Sequence, residues 1–383
     1  MTMPPSVKLK PGDTIGILGG GQLGRMLALA AARLGLRCNV YSPDPDSPAF
    51  DVVQRATCAE YADVAALELF AGEVDVITYE FENIPSGTAM ILAARRPVLP
   101  DPSVLEITQD RLVEKDFVRR LGIATADYAD VSSVEALREA IARIRLPAVL
   151  KTRRFGYDGK GQSIIRSTGD LQTIWAELGT SSSILEQFIP FEREVSMIGA
   201  RGAAGWSVAF GLIENVHRNH ILDTSVYPAR VDPALEQRAA EIVRELCETF
   251  ALVGVLCVEF FVTSSGDLLI NELAPRPHNS GHLTIDACVT SQFEQHVRAI
   301  CGLPAGAMDL LRPAAMANLL GDVWEDGEPD WSAACAVPGV RLHLYGKAEP
   351  RKARKMGHLT ALASTPALAL ENVLRSRDQL QRK

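Results

Sequence analysis

The sequence predicts an α/β fold with a Rossmann-like front portion, and three stretches carry that prediction. The first is a strand, glycine turn, helix and second strand packed into residues 14–41. The second is a short strand ending in Lys151, followed by the glycine-rich loop RRFGYDGKGQ. The third is a β-hairpin at residues 255–273, each arm of which carries a carboxylate.

In the first stretch, TIGIL (14–18) reads as a buried strand running into Gly19-x-Gly21-x-x-Gly24. A helix follows with Leu23, Met26, Leu27, Ala30 and Leu34 on its apolar side and Gly35 as its stop. A second strand occupies 37–41, and Asp44 lies 20 residues after Gly24, where a ribose-binding acid is expected in a dinucleotide site. Any anion can use glycine-exposed amides at a helix start, so the fingerprint alone does not name a ligand. A further strand, within 74–85, ends in Glu80 and Glu82 at the edge where open α/β sheets collect ligands. Glu80 is read as a ligand contact; Glu82 is read equally as ligand contact or cap for the helix after Pro85.

The loop RRPVLPDPS marks a boundary near residue 104. The next helix carries Arg111, Lys115, Phe117 and Leu121 and ends at Gly122, and Ser132-x-x-Glu135 is expected to box the start of another. Gly156, Gly159 and Gly161 let backbone approach phosphate closely, and Lys160 adds charge. With Lys151 on the strand before it, this loop reads as a lid over a nucleotide. Residues 184–190 read as an edge-like strand able to pair with adenine. Further strands are expected from Glu192 and over 206–213, the latter running into ENVHRN, in which His220 just beyond reads as structural. An amphipathic helix bears Leu235, Ala239, Ile242, Val243, Leu246 and Phe250.

Centring the third stretch on Ser265-Gly266 pairs residues whose numbers sum to 531, which sets Glu259 opposite Glu272. Opposed side chains share a face with Cβ atoms ~5 Å apart, where like charges repel. A hard divalent cation held by Glu259 and Glu272, with Asn271 as a further oxygen donor, resolves that repulsion. Arg276, His278, Asn279, Ser280 and His282 follow at once, spaced by prolines that stiffen the backbone.

Composition bounds the rest. A chain of 383 residues holds two or three domains, and 47% hydrophobic with 22% charged residues is ordinary for a globular protein. The net charge of −8 weighs against nonspecific nucleic-acid binding, though not against small anions. No apolar run reaches the ~20 residues of a membrane span. MTMPPSVKLKPGDT lacks the apolar centre of a signal peptide, and seven cysteines without a CxxC pair suit reduced, buried thiols in the cytoplasm.

Together the motifs resemble the ATP-grasp superfamily, and within it the N5-carboxyaminoimidazole ribonucleotide synthetase (PurK) family. The stretches are GGGQLGRM (19–26), YEFENIP (79–85), LKTRRFGYDGKGQ (150–162), EQFIPFEREVS (186–196), ENVHRN (214–219), NELAPRPHNSGH (271–282) and LHLYGK (342–347). Two positions depart from the family pattern: His220 stands where a glycine-like turn residue is usual, and Ala353 interrupts R-x-G-R-K-M-G-H.

The resemblance implies an ATP-grasp fold with a pre-ATP-grasp front domain at 1–104, a body at 105–302 with a lid subdomain about 122–190, and a small C-terminal domain at 303–383. It implies a ligase using ATP, Mg²⁺ and bicarbonate to carboxylate aminoimidazole ribonucleotide through carboxyphosphate, in purine biosynthesis. A homodimer is the family expectation, with no nucleic-acid or membrane partner. On this resemblance Arg111 and Lys151 contact ATP phosphates beneath the loop of Gly156, Tyr157, Asp158, Gly159, Lys160, Gly161 and Gln162. Glu186, Gln187, Phe188, Ile189, Glu194 and His217 hold adenine and ribose. Arg276, His278, Asn279 and Lys347 hold bicarbonate and its phosphorylated form. Gln22, Leu23, Glu80, Tyr157, Asp158, Lys347 and Arg354 contact the ribonucleotide, whose phosphate is gripped within the basic cluster Lys347, Arg351, Lys352, Arg354 and Lys355. Other readings stay open: another ATP-grasp ligase with a different acceptor, a nicotinamide dehydrogenase built on 19–44, or a non-catalytic nucleotide sensor.

Overall fold

The structure is a computed structural model that describes residues 7–156, 159–180 and 182–380; Tyr157 and Asp158 of the predicted lid lie outside the described residues. Among the described residues, three sheets organise the fold. The front sheet is parallel, built from β1 (Thr14–Leu18), β2 (Arg37–Ser42), β3 (Arg55–Cys58) and β4 (Val76–Tyr79) in the order β3-β2-β1-β4. The interior strand β1 and its neighbour β4 are apolar and buried, whereas the edge strand β3 is largely exposed. The helix Gln22–Arg33 buries Leu23, Met26, Leu27 and Ala30 against β1 and the later helix Gln292–Ile300.

A second, antiparallel sheet contains β5 (Tyr128–Val131), β6 (Ala148–Thr152), β7 (Gln162–Ile165) and β8 (Ser183–Gln187) in the order β5-β8-β6-β7. Two expectations are corrected here. β8 is an interior strand, flanked on both sides, so only the segment after Gln187 leaves the ladder. The helix before β6 is capped by Ser133, whose hydroxyl accepts from the Ala136 amide, one residue later than the Ser132 box.

The third sheet has nine strands: β9 (Phe191–Arg201), β10 (Ser207–Ala209), β11 (Ile213–Arg218), β12 (Ile221–Tyr227), β13 (Gly254–Thr263), β14 (Leu268–Ala274), β15 (Ala314–Leu320), β16 (Val340–Leu344) and β17 (Lys355–Leu362). The order is β14-β13-β9-β11-β12-β15-β17-β16, with β10 paired to β9. The C-terminal strands thus extend the central sheet. The strand expected over 206–213 is broken at Phe210-Gly211-Leu212, and 214–218 is itself strand β11. The helix Pro233–Thr249 buries Ala239, Ile242, Val243, Leu246 and the following Phe250 against the back of β9 and β13. Five cysteines are buried and Cys58 and Cys335 are exposed.

The hairpin register repays a close look. Near the turn the pairs are Val262↔Leu268, Phe261↔Leu269 and Phe260↔Ile270, one residue off the predicted register. The turn spans three residues rather than two: Gly266 (φ +82) donates to the Thr263 carbonyl and Thr263 to that of Asp267. A bulge at Asn271 then absorbs one residue and restores Glu259↔Glu272.

Ala353 has φ +64 in an exposed turn, where a side chain crowds the following carbonyl. Ala353→Gly is expected to stabilise the protein by about 0.5–1 kcal/mol, since the relieved strain outweighs the added freedom of the unfolded chain. Thermal melts of the two proteins check it; an unchanged or lower midpoint would mean the turn carries no strain.

Candidate active site

The site lies between the second and central sheets, with the front sheet closing one end. Glu186 and Lys151 meet because β8 and β6 pair Val149 with Glu186, making Lys151 the diagonal neighbour on one face. Lys151 Nζ lies 2.8 Å from Glu186 Oε2, and Lys115 Nζ lies 3.6 Å from the same oxygen. All three are largely buried, Glu186 and Lys115 with side chains only 4% and 3% exposed. Burial raises the Glu186 pKa, but Lys115, Lys151 and Arg111 outweigh it and hold it at about 2. Glu186 thus organises the two lysines. Gln187 is exposed and Phe188 and Ile189 half-buried beside this cluster, on the segment that leaves the sheet.

Helix Arg111–Arg120 supplies the other cations. Its N-cap Asp110 accepts from the Leu112 amide at 3.1 Å and from Arg153, on the arm leading into the glycine loop, at 2.8–2.9 Å. Arg111 Nη1 lies 3.1 Å from Glu272 Oε2, and its Nη2 reaches the Gly156 carbonyl at 3.4 Å. Glu114, next to Lys115, accepts from the Leu273 amide at 3.0 Å. Burial, with Glu272 nearby, pushes its pKa up to about 8 despite Lys115 and Arg111.

Glu259 has the matching partner: its Oε1 lies 2.8 Å from His278 Nε2. Burial raises the Glu259 pKa, but His278 outweighs it and holds it at about 2. The imidazole in turn is held at about 10: burial opposes its charge, and Cys257 and Glu259 beside it overcome that. Each facing carboxylate therefore carries its own cation, Arg111 on Glu272 and His278 on Glu259, as the repulsion argument requires. Among the described residues no group of three or more His, Cys, Asp or Glu is arranged to hold a metal. Glu259 and Glu272, with Asn271, would suit a magnesium ion, a hard cation that takes oxygen ligands.

The loop after β14 is clamped from below. Gln292 accepts from the His278 amide at 2.8 Å and donates to its carbonyl at 2.6 Å. A buried row, Ser225–Asn215–Ser196–Ser280, ties β12, β11 and β9 to the loop with bonds of 2.8–2.9 Å. Arg276 pairs with Glu82 at 2.5 Å, which joins the front sheet to the site and makes Glu82 a partner for Arg276 rather than a helix cap. Arg276 Nε and both amide atoms of Asn279 are buried with no partner among the described residues. Between β11 and β9, His217 Nδ1 lies 2.8 Å from Glu194 Oε2.

At the front sheet, Gly21 and Gly24 donate their amides to Glu80 Oε1 and Oε2 at 2.6 and 2.9 Å. The amides of the first glycine turn are thus capped by the Glu80 carboxylate. Leu23 belongs to the core, while Gln22 stays half-exposed at the mouth. Lys347 Nζ donates to the Lys355 carbonyl at 2.7 Å, and its charge and that of Arg276 reach Glu80. Arg354 donates to the Glu349 carbonyl at 2.9 Å in the same basic loop.

Glu114, Lys115, Asp110, Ser196, Asn215 and Gln292 are site residues that sequence reasoning did not single out for the site. For Lys115 the adjacent Glu-Lys pair on an otherwise amphipathic helix was the available signal.

The buried histidines set a pH dependence. Burial depresses the pKa of His282 and His358 well below the usual value and that of His296 to about 3. Below pH ~6.5 the unfolded chain takes up these protons and the folded one does not, so stability falls with pH. His278 and Glu114 act oppositely: their protons are retained only by the folded protein, up to about 10 and about 8, so stability is lost as pH rises through that range. Thermal midpoints are expected to peak near pH 6.5, within roughly a unit. A midpoint rising steadily from pH 5 to 9 would contradict this.

Three consecutive family models match the chain: a ribonucleotide synthetase preATP-grasp domain over residues 13–109, an ATP-grasp domain over 116–293, and a phosphoribosylaminoimidazole carboxylase C-terminal domain over 314–372. The chain is 48% identical over 356 residues to the N5-carboxyaminoimidazole ribonucleotide synthase of Brucella melitensis, covering 92% of this chain and 97% of that protein. It is 42% identical over 379 residues to the bifunctional purine synthesis protein purC/E of Dictyostelium discoideum, covering 93% of this chain and 38% of that longer protein. A solved ADP complex of purK, an N5-carboxyaminoimidazole ribonucleotide synthetase, superposes with a TM-score of 0.92 at 42% identity, over 99% of this chain and 100% of the other. An Aspergillus clavatus N5-carboxyaminoimidazole synthase bound to ADP and 5-aminoimidazole ribonucleotide gives 0.88 at 27% identity, over 97% and 100%.

Proposed function

Because the chain belongs to the N5-carboxyaminoimidazole ribonucleotide synthase family of ATP-grasp ligases, we propose that this cleft carboxylates 5-aminoimidazole ribonucleotide with ATP and bicarbonate, a step of purine biosynthesis. The observation that carries this reading is a pair of unpartnered donors, Arg276 Nε and Asn279 Nδ2, on the loop that follows directly from the two facing carboxylates.

A bicarbonate oxygen attacks the γ-phosphorus and the bond to ADP breaks, giving carboxyphosphate. The exocyclic amine then attacks its carboxyl carbon, the bond to phosphate breaks, and the amine loses a proton. Both halves bring anions together, so catalysis is mainly positioning and charge neutralisation. Lys151, Lys115 and Arg111 take the ATP phosphates, which draws Arg111 off Glu272. Magnesium held by Glu259 and Glu272, with Asn271, would neutralise the transferred group. Gln187 to Ile189, Glu194 and His217 hold adenine and ribose. Arg276, His278, Asn279 and Lys347 hold bicarbonate and carboxyphosphate. The ribonucleotide lies at the mouth between Gln22 and the basic loop at Lys347 and Arg354, with Glu80 fixing the helix beneath it. Tyr157 and Asp158 belong to the same acceptor set. Glycines 156, 159 and 161 shape the cover over the phosphates, and Lys160 and Gln162 complete it.

Among the described residues no helix is long and apolar enough to cross a membrane. A cytoplasmic location suits the five buried free thiols. We take the working form as the family's homodimer, which sedimentation at micromolar concentration tests.

ADP release from Mg²⁺ and ATP, with and without bicarbonate and aminoimidazole ribonucleotide, tests the reading. Fast ADP release only with both, matched by carboxylated product, is expected. Turnover with a different acceptor would overturn the substrate and keep the ATP site; turnover with none would favour a nucleotide sensor.

A further inference from the structure

The turn between β11 and β12 is made by Asn219 and His220, both left-handed at φ +50 and +66. A two-residue turn of this kind favours glycine at its second position, so a histidine there is retained against the backbone's preference. Its side chain is engaged across the cleft. His220 Nδ1 lies 3.0 Å from the amide nitrogen of Gln162, the first residue of β7 beyond the glycine loop. Since that amide donates, the ring Nδ1 accepts, and its hydrogen sits on Nε2.

A second contact is independent of this hydrogen bond. Gly159, at φ +78, lies so close that a Cβ built on it would sit 2.5 Å from His220 Cβ and 2.8 Å from the ring. The loop backbone therefore rests directly on the imidazole. From the other wall, Arg111 holds the Gly156 carbonyl, and Thr152 packs under Gly161. β11 and β12 belong to the central sheet, whereas β6 and β7 belong to the second sheet. The His220 contact thus bridges the two walls of the cleft near His217 of β11, which faces Glu194 on the neighbouring β9.

We propose that His220 is a positioning residue that latches the Gly159–Gln162 stretch across the cleft, keeping water from the activated carboxyl group until the amine has attacked. The inference rests on the carboxylation reading above for its consequence, but not for its geometry. When the latch fails, water takes the place of the amine at the carboxyl carbon. Bicarbonate and phosphate are regenerated, and the net reaction is hydrolysis of ATP.

The test compares His220→Gly and His220→Asn with the unaltered protein. Glycine removes the ring and relieves the turn, so its thermal midpoint should match or exceed the original, which separates a lost latch from a lost fold. The ADP formed per carboxylated product should rise, and carboxylation should slow about fivefold, the worth of one hydrogen bond. Asparagine tolerates a left-handed backbone and can bond to Gln162, so it should restore much of the coupling. One ADP per product at the original rate in His220→Gly would overturn the latch. If the unaltered protein makes no carboxylated product, the function reading fails by itself. The latch is then judged by hydrogen exchange of residues 159–162 with a non-hydrolysable ATP analogue bound: faster exchange in His220→Gly supports it, and equal exchange overturns it.

Discussion

Glu272→Gln is expected to slow ADP release by roughly 10²–10³-fold at saturating Mg²⁺, ATP, bicarbonate and ribonucleotide, while the protein stays folded. The amide keeps the shape of the carboxylate opposite Glu259 and removes a like-charge contact, so the hairpin loses little. What disappears is half of the anionic pair that fits the ion, and the partner at 3.1 Å that holds Arg111 before nucleotide arrives. Lys151 and Lys115 are untouched, so ATP binding should persist with a midpoint in Mg²⁺ moved to higher concentration. Isothermal titration with ATP, alongside the ADP assay across a magnesium series, reads both quantities. A rate within threefold of the original would place the ion elsewhere.

The second large effect falls on stability. Glu186→Gln strands two buried ammonium groups, Lys115 at 3.6 Å and Lys151 at 2.8 Å, with no carboxylate between them. Breaking a buried pair from one side costs about 3–5 kcal/mol, because the remaining charge has lost both water and partner. Urea denaturation of the nucleotide-free variant measures the loss. Adding Lys115→Met should return part of it, since one stranded charge goes with the lysine. A loss below about 1 kcal/mol would mean that Lys115 gives up its proton instead, the direction in which burial already moves it.

Much of the fold was legible because its strands and helices announce themselves by period and punctuation. The front strand, the glycine turn and the helix Gln22–Arg33 follow from a buried run, three glycines and a 3.6-residue stripe. The hairpin shows where such reading stops. Counting from Ser265-Gly266 placed Glu259 opposite Glu272, yet the three-residue turn alone would have opposed Glu259 to Asn271, and the bulge supplied the difference. A bulge has no period, and only Gly266 hinted at the turn. The interior place of β8 was invisible for another reason: its neighbours, β5 and β6, are set by strand order rather than by its own residues. Glu114 and Lys115 look like solvent-facing charges until β14 and Glu186 are brought against them from more than 70 residues away. The row from Ser225 to Ser280 likewise unites four small polar residues that no local window contains.

The carboxylate that caps the glycine turn has a consequence for every soluble anion. Glu80 is tethered to the same sheet, through the strand beside β1, and so confronts the Gly21 and Gly24 amides at an effective concentration of order millimolar or higher. A dinucleotide seeking those amides competes against a ligand that never diffuses away. That tethered competitor weighs against a nicotinamide cofactor at this turn, despite the glycine fingerprint and the acid 20 residues on. The fingerprint reports a strand-to-helix turn drawn tight around its own side chain.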